Sequence, residues 1–279
     1  MVSIIIPFYN GNKYIPKLVG NINKIYDDYK DIEVIIVNDS PTIPINIENI
    51  CIKFPYNIIV NPENKGIHFS RVNGLKHANG EYIIFLDQDD CIEKNFISSQ
   101  LIKIKNYDCI IANGYNYGIS NRKKIYKNSI FHKLSTYFIP LVLTGTHIIS
   151  PGQCLIRKDS ISKYWIENIM SINGVDDAYL WLLMYRENKK FTINKDCLYH
   201  HIYTGRNLSF EISKMTYSLN EMYKLITKSE KFSKFTLKFI KRRINALNNF
   251  GTIKNIIMFP DVYFFKFIRK ILNSIGCFN

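Results

Sequence analysis

At 279 residues, 47% hydrophobic and 14% aromatic, the chain can build one large α/β domain with a small appended segment, which excludes global disorder. Its net charge of +14 is uneven: Phe210 to Asn279 carries 13 Lys+Arg against four Asp+Glu, about +9, so nucleic acid, an anionic membrane surface and anionic substrates are the partners to weigh. The cysteines (Cys51, Cys91, Cys109, Cys154, Cys197, Cys277) form no C-x-x-C or close Cys/His spacing, which argues against structural zinc or a disulfide framework and fits a reducing cytosolic compartment.

In chain order, Val2 to Ile6 reads as a first core strand rather than a signal peptide, Tyr14 to Tyr26 as a helix and Ile32 to Val37 as a strand. Asp39-Ser40-Pro41 makes a turn; Tyr56 to Val60 is a strand; Pro62 to Gly66 is a loop; Ile67 to Ala78 is helical. Tyr82 to Leu86 completes a third βα unit. This repetition predicts a mostly parallel sheet flanked by helices. Further strands are expected at Cys109 to Ala112, Leu155 to Arg157, Phe191 to Asn194 and Leu198 to Tyr203, with a Tyr-rich excursion from Asn113 to Lys133. Asp176 to Arg186 should be a helix, with acids in its first turn. Helical, basic segments follow from Glu211 to Lys231, Phe235 to Asn249 and Met258 to Ile275. The apolar runs Tyr137 to Ile149 and Ile256 to Ile268 are interrupted by Pro, Gly or charged residues and are too short to span a bilayer.

The sharpest signal is Leu86-Asp87-Gln88-Asp89-Asp90, a buried strand ending in three acids within four positions. Like charges so close raise one another's pKa unless a cation lies between them, and hard divalent ions such as Mn²⁺ or Mg²⁺ prefer oxygen ligands. Ligands in open α/β sheets gather at the carboxyl ends of strands, where these acids fall. The alternative is that Asp89 or Asp90 caps a helix beginning near Glu93. Three other strand-end segments carry polar groups to the same edge: Pro7-Phe8-Tyr9-Asn10, Val37-Asn38-Asp39-Ser40, and Asn61 to Gly66 with Arg71-Val72-Asn73-Gly74. Asp39 suits ribose hydroxyls or a base imide, Arg71 and Lys65 suit phosphate, and Gly66 permits close backbone approach.

In this order, V-S-I-I-I-P-F-Y-N, V-I-I-V-N-D-S, N-x-G with R-x-N-G, and A-N-G-E-Y-I-I-F-L-D-Q-D-D, the chain resembles the family 2 glycosyltransferases of the GT-A fold over roughly Val2 to Ser209. The resemblance implies an inverting enzyme using a nucleotide-sugar donor, with a catalytic domain over 1–209 and a basic helical extension over 210–279. The catalytic domain would divide into a donor half to about residue 112 and an acceptor half from about 113. Asp39 would meet the uracil or ribose; Pro7, Tyr9 and Arg71 would border the nucleotide, with Lys65, Gly66 and Gln88 in the same donor site. Asp87 would lie near the ribose and donor sugar. Asp89 would hold Mn²⁺ or Mg²⁺ on the diphosphate, leaving capping to Asp90 alone.

Asn173-Gly174-Val175-Asp176-Asp177 looks like the family's acidic motif at a helix start, which implies Asp177 as the base that deprotonates the acceptor and Asp176 as its support or an acceptor contact. One of the adjacent pair His200 and His201 can reach the metal, because neighbours on a strand face opposite ways; His201 is preferred, against a purely structural pair. Gly152 and Gln153 fall where the family lines the acceptor pocket.

The expected function is transfer from a UDP-sugar to a glycan or lipid-linked acceptor in bacterial surface polysaccharide synthesis, at the cytoplasmic face. A sugar nucleotidyltransferase is the rival, but Phe8-Tyr9-Asn10-Gly11-Asn12 lacks the Gly-rich, Arg/Lys-bearing phosphate loop it needs. A non-catalytic sugar-binding scaffold is the other. The basic C-terminal region reads as peripheral docking on an anionic membrane, or as helices packed on the catalytic domain or in a homo-oligomer interface. No nucleic-acid module accompanies the charge.

Overall fold

Strands rich in Ile and Val bury on both faces, and they order the first part of the chain. The structure, a computed structural model, describes residues 1–118, 121–205, 211–247 and 251–274. The ends of the expected 235–249 helix and of the 258–275 segment, with Cys277, lie outside these residues. Two compact units result, one made of Met1–Ile125, Ile148–Ile161 and Lys190–Gly205, the other of Tyr126–His147, Ser162–Lys189 and Arg206–Asn279. They interleave along the chain, because the helices in the middle of the chain pack against the C-terminal helices.

The first unit runs β1 (Val2–Phe8), α1 (Ile15–Asp28), β2 (Ile32–Asn38), β3 (Tyr56–Val60), α2 (Ile67–His77), β4 (Tyr82–Phe85), β5 (Cys91–Ile92), α3 (Phe96–Ile104), β6 (Cys109–Tyr117), β7 (Arg122–Lys124), β8 (Cys154–Arg157) and β9 (Phe191–Ile202). The sheet order is β3-β2-β1-β4-β8-β6-β9-β5, with β7 beside β6. Neighbours from β3 through β4 pair in parallel, as the repeated βα pattern predicts. Beyond them the sheet is mixed: β8 is antiparallel to both β4 and β6, while β9 is parallel to β6.

Three differences from expectation matter. Two short strands over 191–203 are one strand, β9, whose register against β6 shifts twice: residues 195 and 196 are extra between Ala112 and Asn113, and residue 198 between Asn113 and Gly114. A Cβ on Gly114 would lie 2.1 Å from the Tyr199 carbonyl oxygen, so only glycine allows this approach. The helix expected near Glu93 begins at Phe96, after β5, with Asn95 at its N-cap. Asp90 therefore caps nothing. Lastly, the 258–275 segment is a helix that starts at Pro260, since proline suits a first helical position but not an interior one.

The second unit is helical: α4 (Ser129–Leu134), α5 (Phe138–Thr144), α6 (Lys163–Glu167), α7 (Asp176–Arg186), α8 (Ile212–Lys228), α9 (Lys234–Asn245), α10 (Ile253–Met258) and α11 (Pro260–Ser274). Its centre is α7, buried from Ala178 through Met184. The neighbouring faces supply Trp165, Met222, Ile226, Ile240 and Ile244, all essentially inaccessible. Buried Arg243 donates to the Leu141 and Val142 carbonyls at 2.6 Å, and Arg269 to those of Thr144 and Thr146 at 3.0 and 3.2 Å. Both cations thus meet carbonyls at and just beyond the negative end of α5, where the Leu141 carbonyl also accepts from Gly145 N at 3.0 Å.

Candidate functional site

Proline in a central strand should cost a ladder bond, yet Pro7 lies at the end of β1. The Ile5 carbonyl accepts from Leu86 N at 3.0 Å, and Phe8 O accepts from Asp39 N at 2.8 Å on the other side. Pro7 faces the same way as Ile5, past the last β4 pairing, so its missing N–H leaves no bond unmade. The strand ends splay there, and the polar segments of the sequence converge on that edge.

Asp39, at the end of β2, is buried and accepts from Lys65 N and Gly66 N at 2.8 Å and from Asn61 Nδ2 at 2.7 Å. Its carboxylate pins the loop into α2. Gly66 enters that helix at φ 87°, a left-handed value that favours glycine. The Lys65 ammonium pairs with Glu63, so in this arrangement the residue serves Asp39 through its backbone.

From α2, buried Arg71 reaches Asp87 with Nη2 to Oδ1 at 2.6 Å. Ser150 Oγ donates to the other oxygen at 2.9 Å. Burial pushes the Asp87 carboxyl up, as does the charge of Asp90, while Arg71 and Ser150 oppose the rise. Gln88 clasps the neighbouring backbone: Tyr9 N donates to its Oε1 at 2.9 Å and its Nε2 donates to Tyr9 O at 3.1 Å. The half-exposed Tyr9 ring stands beside this clasp.

Asp89 differs from its neighbours. Burial, then the charges of Asp90 and Asp87, push its carboxyl up to about 7. Asp90 is buried and engaged, accepting from the Tyr199 hydroxyl and from Ile202 N at 2.8 Å. His201 Nδ1 lies 3.3 Å from both the Tyr199 hydroxyl and Asp90. Burial lowers the His201 pKa, but its bond to Asp90 and the three aspartate charges outweigh this and raise it. His200 faces the other way, Nε2 against Glu93 at 2.6 Å and its ring stacked on Tyr115. Of the two histidines, His201 is the one beside the acids.

Among the described residues no three His, Cys, Asp or Glu side chains already form a metal-holding group. The chemistry of the donor set still suits a hard cation. Asp89 is a half-buried carboxylate whose charge its neighbours disfavour, and divalent ions of the Mg²⁺ kind commonly take one or two protein carboxylates and complete their shell with phosphate and water.

Gly152 and Gln153 lie in the loop before β8. Gly152 is buried, where an added Cβ would stand 3.0 Å from the Tyr199 ring. The Gln153 amide donates to Ala112 O at 3.0 Å and accepts from Ile149 N at 2.7 Å, with the residue fully buried. Both shape the loop before β8. Tyr199 and Ser150 were missed by motif reading, although Tyr199 stands two residues from His201 on a strand, a spacing that puts both on one face.

In the second unit, Asp176 and Asp177 occupy the first turn of α7 behind Val175 at the N-cap. Neither is the N-cap residue. Asp176 is buried, and its carbonyl accepts from the Trp165 indole at 2.9 Å; Asp177 is half-buried, with Oδ1 accepting from Ala178 N at 2.6 Å.

The family model "Glycosyl transferase family 2" matches residues 3–165. The Minor teichoic acid biosynthesis protein GgaB of Bacillus subtilis (strain 168) is 29% identical over 209 residues, covering 71% of this chain and 22% of GgaB. Among solved structures, S. aureus TarS 1–349 in complex with UDP-GlcNAc gives a TM-score of 0.65 at 18% identity, over 94% of this chain and 79% of that one. The mannosyltransferase PcManGT from Pyrobaculum calidifontis, in complex with GDP-Man and Mn²⁺, gives 0.56 at 12% identity, over 99% and 87%. These likenesses establish the fold as that of GT-A enzymes. The chain spans 21% to 47% of the length of the first curated relatives it matches.

Proposed function

The chain belongs to glycosyl transferase family 2, and we propose that it transfers a hexosyl or N-acetylhexosaminyl group from a UDP-sugar, with inversion, to a hydroxyl of a glycan or lipid-linked acceptor. The acceptor class, a bacterial surface polysaccharide built at the cytoplasmic face, draws support from the likeness to GgaB. The donor class draws support from the fold shared with TarS, which was solved with UDP-GlcNAc.

One observation carries the reading: Asp39, Arg71, Asp87 and Asp89 converge at one strand edge, and Asp89 is the acid whose charge is least compensated. Asp39 organises the 61–66 loop and presents its edge to the base and ribose. Arg71 and Asp87 hold one another, the guanidinium toward phosphate charge and the carboxylate toward the ribose and donor sugar. Asp89, with His201, is the site for Mn²⁺ or Mg²⁺, which when bound would act as a Lewis acid on the departing diphosphate. Tyr9 and Pro7 border the nucleotide.

In the transfer, the acceptor oxygen attacks the anomeric carbon, the bond from that carbon to the diphosphate oxygen breaks, and UDP leaves. Asp177 takes the acceptor's proton as the new bond forms, when that hydroxyl is most acidic; Asp176 supports it.

The test is UDP-sugar turnover with Mn²⁺ or Mg²⁺. The wild-type chain should hydrolyse or transfer the donor, and Asp89→Ala should lose at least about 10²-fold of that rate. An Asp89→Ala variant as active as wild type, or a wild-type chain that neither binds nor turns over donor with any divalent ion, would overturn the reading.

A further inference from the structure

Two helices of the second unit turn large apolar side chains outward. In α10, Asn255 is buried and its side chain donates to Ala246 O at 2.8 Å, while Ile253 and Ile257 are 78% and 73% exposed. Met258 and Ile256 are exposed as well. In α11, Val262 is buried, and polar residues are tied inward beside it: Asp261 holds Arg242 at 2.6 and 3.0 Å, and Arg269 holds the Thr144 and Thr146 carbonyls. The Leu272 carbonyl accepts from Asn128 at 2.8 Å. These bonds fix the roll of the helix, which leaves Phe264 and Phe267 58% and 62% exposed, with Ile271 on the same stripe. The spacing 264, 267, 271 is that of one helix face. An ordinary surface helix buries that stripe; this one displays it.

The charges on these helices say what covers the stripe. Lys254 and Lys270 are exposed on them, and their one acid, Asp261, is engaged by Arg242. A second copy meeting this face about a two-fold axis would bring cations toward cations with no carboxylate on the patch to pair them. Apolar side chains flanked by lysines complement a phospholipid interface, where the rings enter the acyl boundary and the ammonium groups meet phosphates. No described helix is long and apolar enough to cross a membrane, so the contact is with the surface. We propose that the α10–α11 face docks on an anionic phospholipid bilayer, with Ile253, Ile257, Phe264 and Phe267 as the inserting residues.

The experiment is co-sedimentation of the full chain with phosphatidylcholine vesicles, with and without phosphatidylglycerol, alongside the double variant Phe264→Glu/Phe267→Glu. These side chains are exposed, so the variant should keep the wild-type melting temperature and circular dichroism, and its turnover of soluble donor separates loss of docking from loss of enzyme. Wild type should bind the anionic vesicles, bind neutral ones less, and lose binding as salt rises; the variant should bind at least about tenfold more weakly. Equal binding by a folded variant, or no binding by wild type to either vesicle, overturns the proposal. So does a wild-type dimer in light scattering that the variant converts to monomer, because the face would then be a contact between copies.

Discussion

In the first unit, three carboxylates crowd the end of β4 and are met by Arg71, Ser150, Tyr199 and His201. In the second, Arg243 is buried along with Asp176. Burial and the charge of Arg269 push the Arg243 guanidinium down to about 10, and both arginines rest on backbone carbonyls rather than on acids. Large apolar side chains lie on the surface of α10 and α11. Negative charge is concentrated in the first unit, and the second turns apolar side chains and lysines to its surface at α10 and α11.

The largest effect should come from the acid of α7. Asp177→Asn should leave donor binding near wild type and lower transfer by about 10²–10⁴-fold, measured as kcat with saturating donor. An active Asp177→Asn chain would move the base to Asp176, the preceding residue of the same helix turn. Next, Arg243→Met should cost about 1–3 kcal/mol of unfolding free energy in urea, because the Val142 carbonyl loses the buried guanidinium and the Leu141 carbonyl keeps only Gly145 N. A neutral result would mean that the helix end relaxes to water, and the contrast between the units would weaken. Smallest is Tyr199→Phe, which removes only a hydroxyl from Asp90. It should cost about 1–2 kcal/mol of stability and loosen Mn²⁺ binding in a calorimetric titration, with little change in fold. Unchanged Mn²⁺ affinity would confine Tyr199 to the core.

Much of this was legible in the residues. The acids after Leu86 announced themselves by crowding, and the ordered strand-end segments placed them on one edge of a parallel sheet. The opposed faces of His200 and His201 follow from strand geometry alone. Other parts were not legible. Asp90 looked like a helix cap because sequence spacing cannot reveal that β9 returns to meet it, with the Tyr199 hydroxyl and Ile202 N. Nor could sequence show that the buried Gln153 amide bonds to Ile149 N and Ala112 O and so closes the loop before β8. The basic C-terminal segments had the composition of a membrane surface, yet composition could not say which face of each helix is turned out.

The sequence by itself determined the βα order of the first unit, the family and the acids that define its chemistry, because these depend on local runs and on residues a few positions apart. Tertiary structure alone decided which carboxylate is left uncompensated, how the middle and C-terminal helices join in one unit, and that α10 and α11 point their apolar side chains outward. Each of those depends on bonds between residues tens to more than a hundred positions apart, such as Arg243 with Leu141 and Tyr199 with Asp90. No local pattern encodes such pairs.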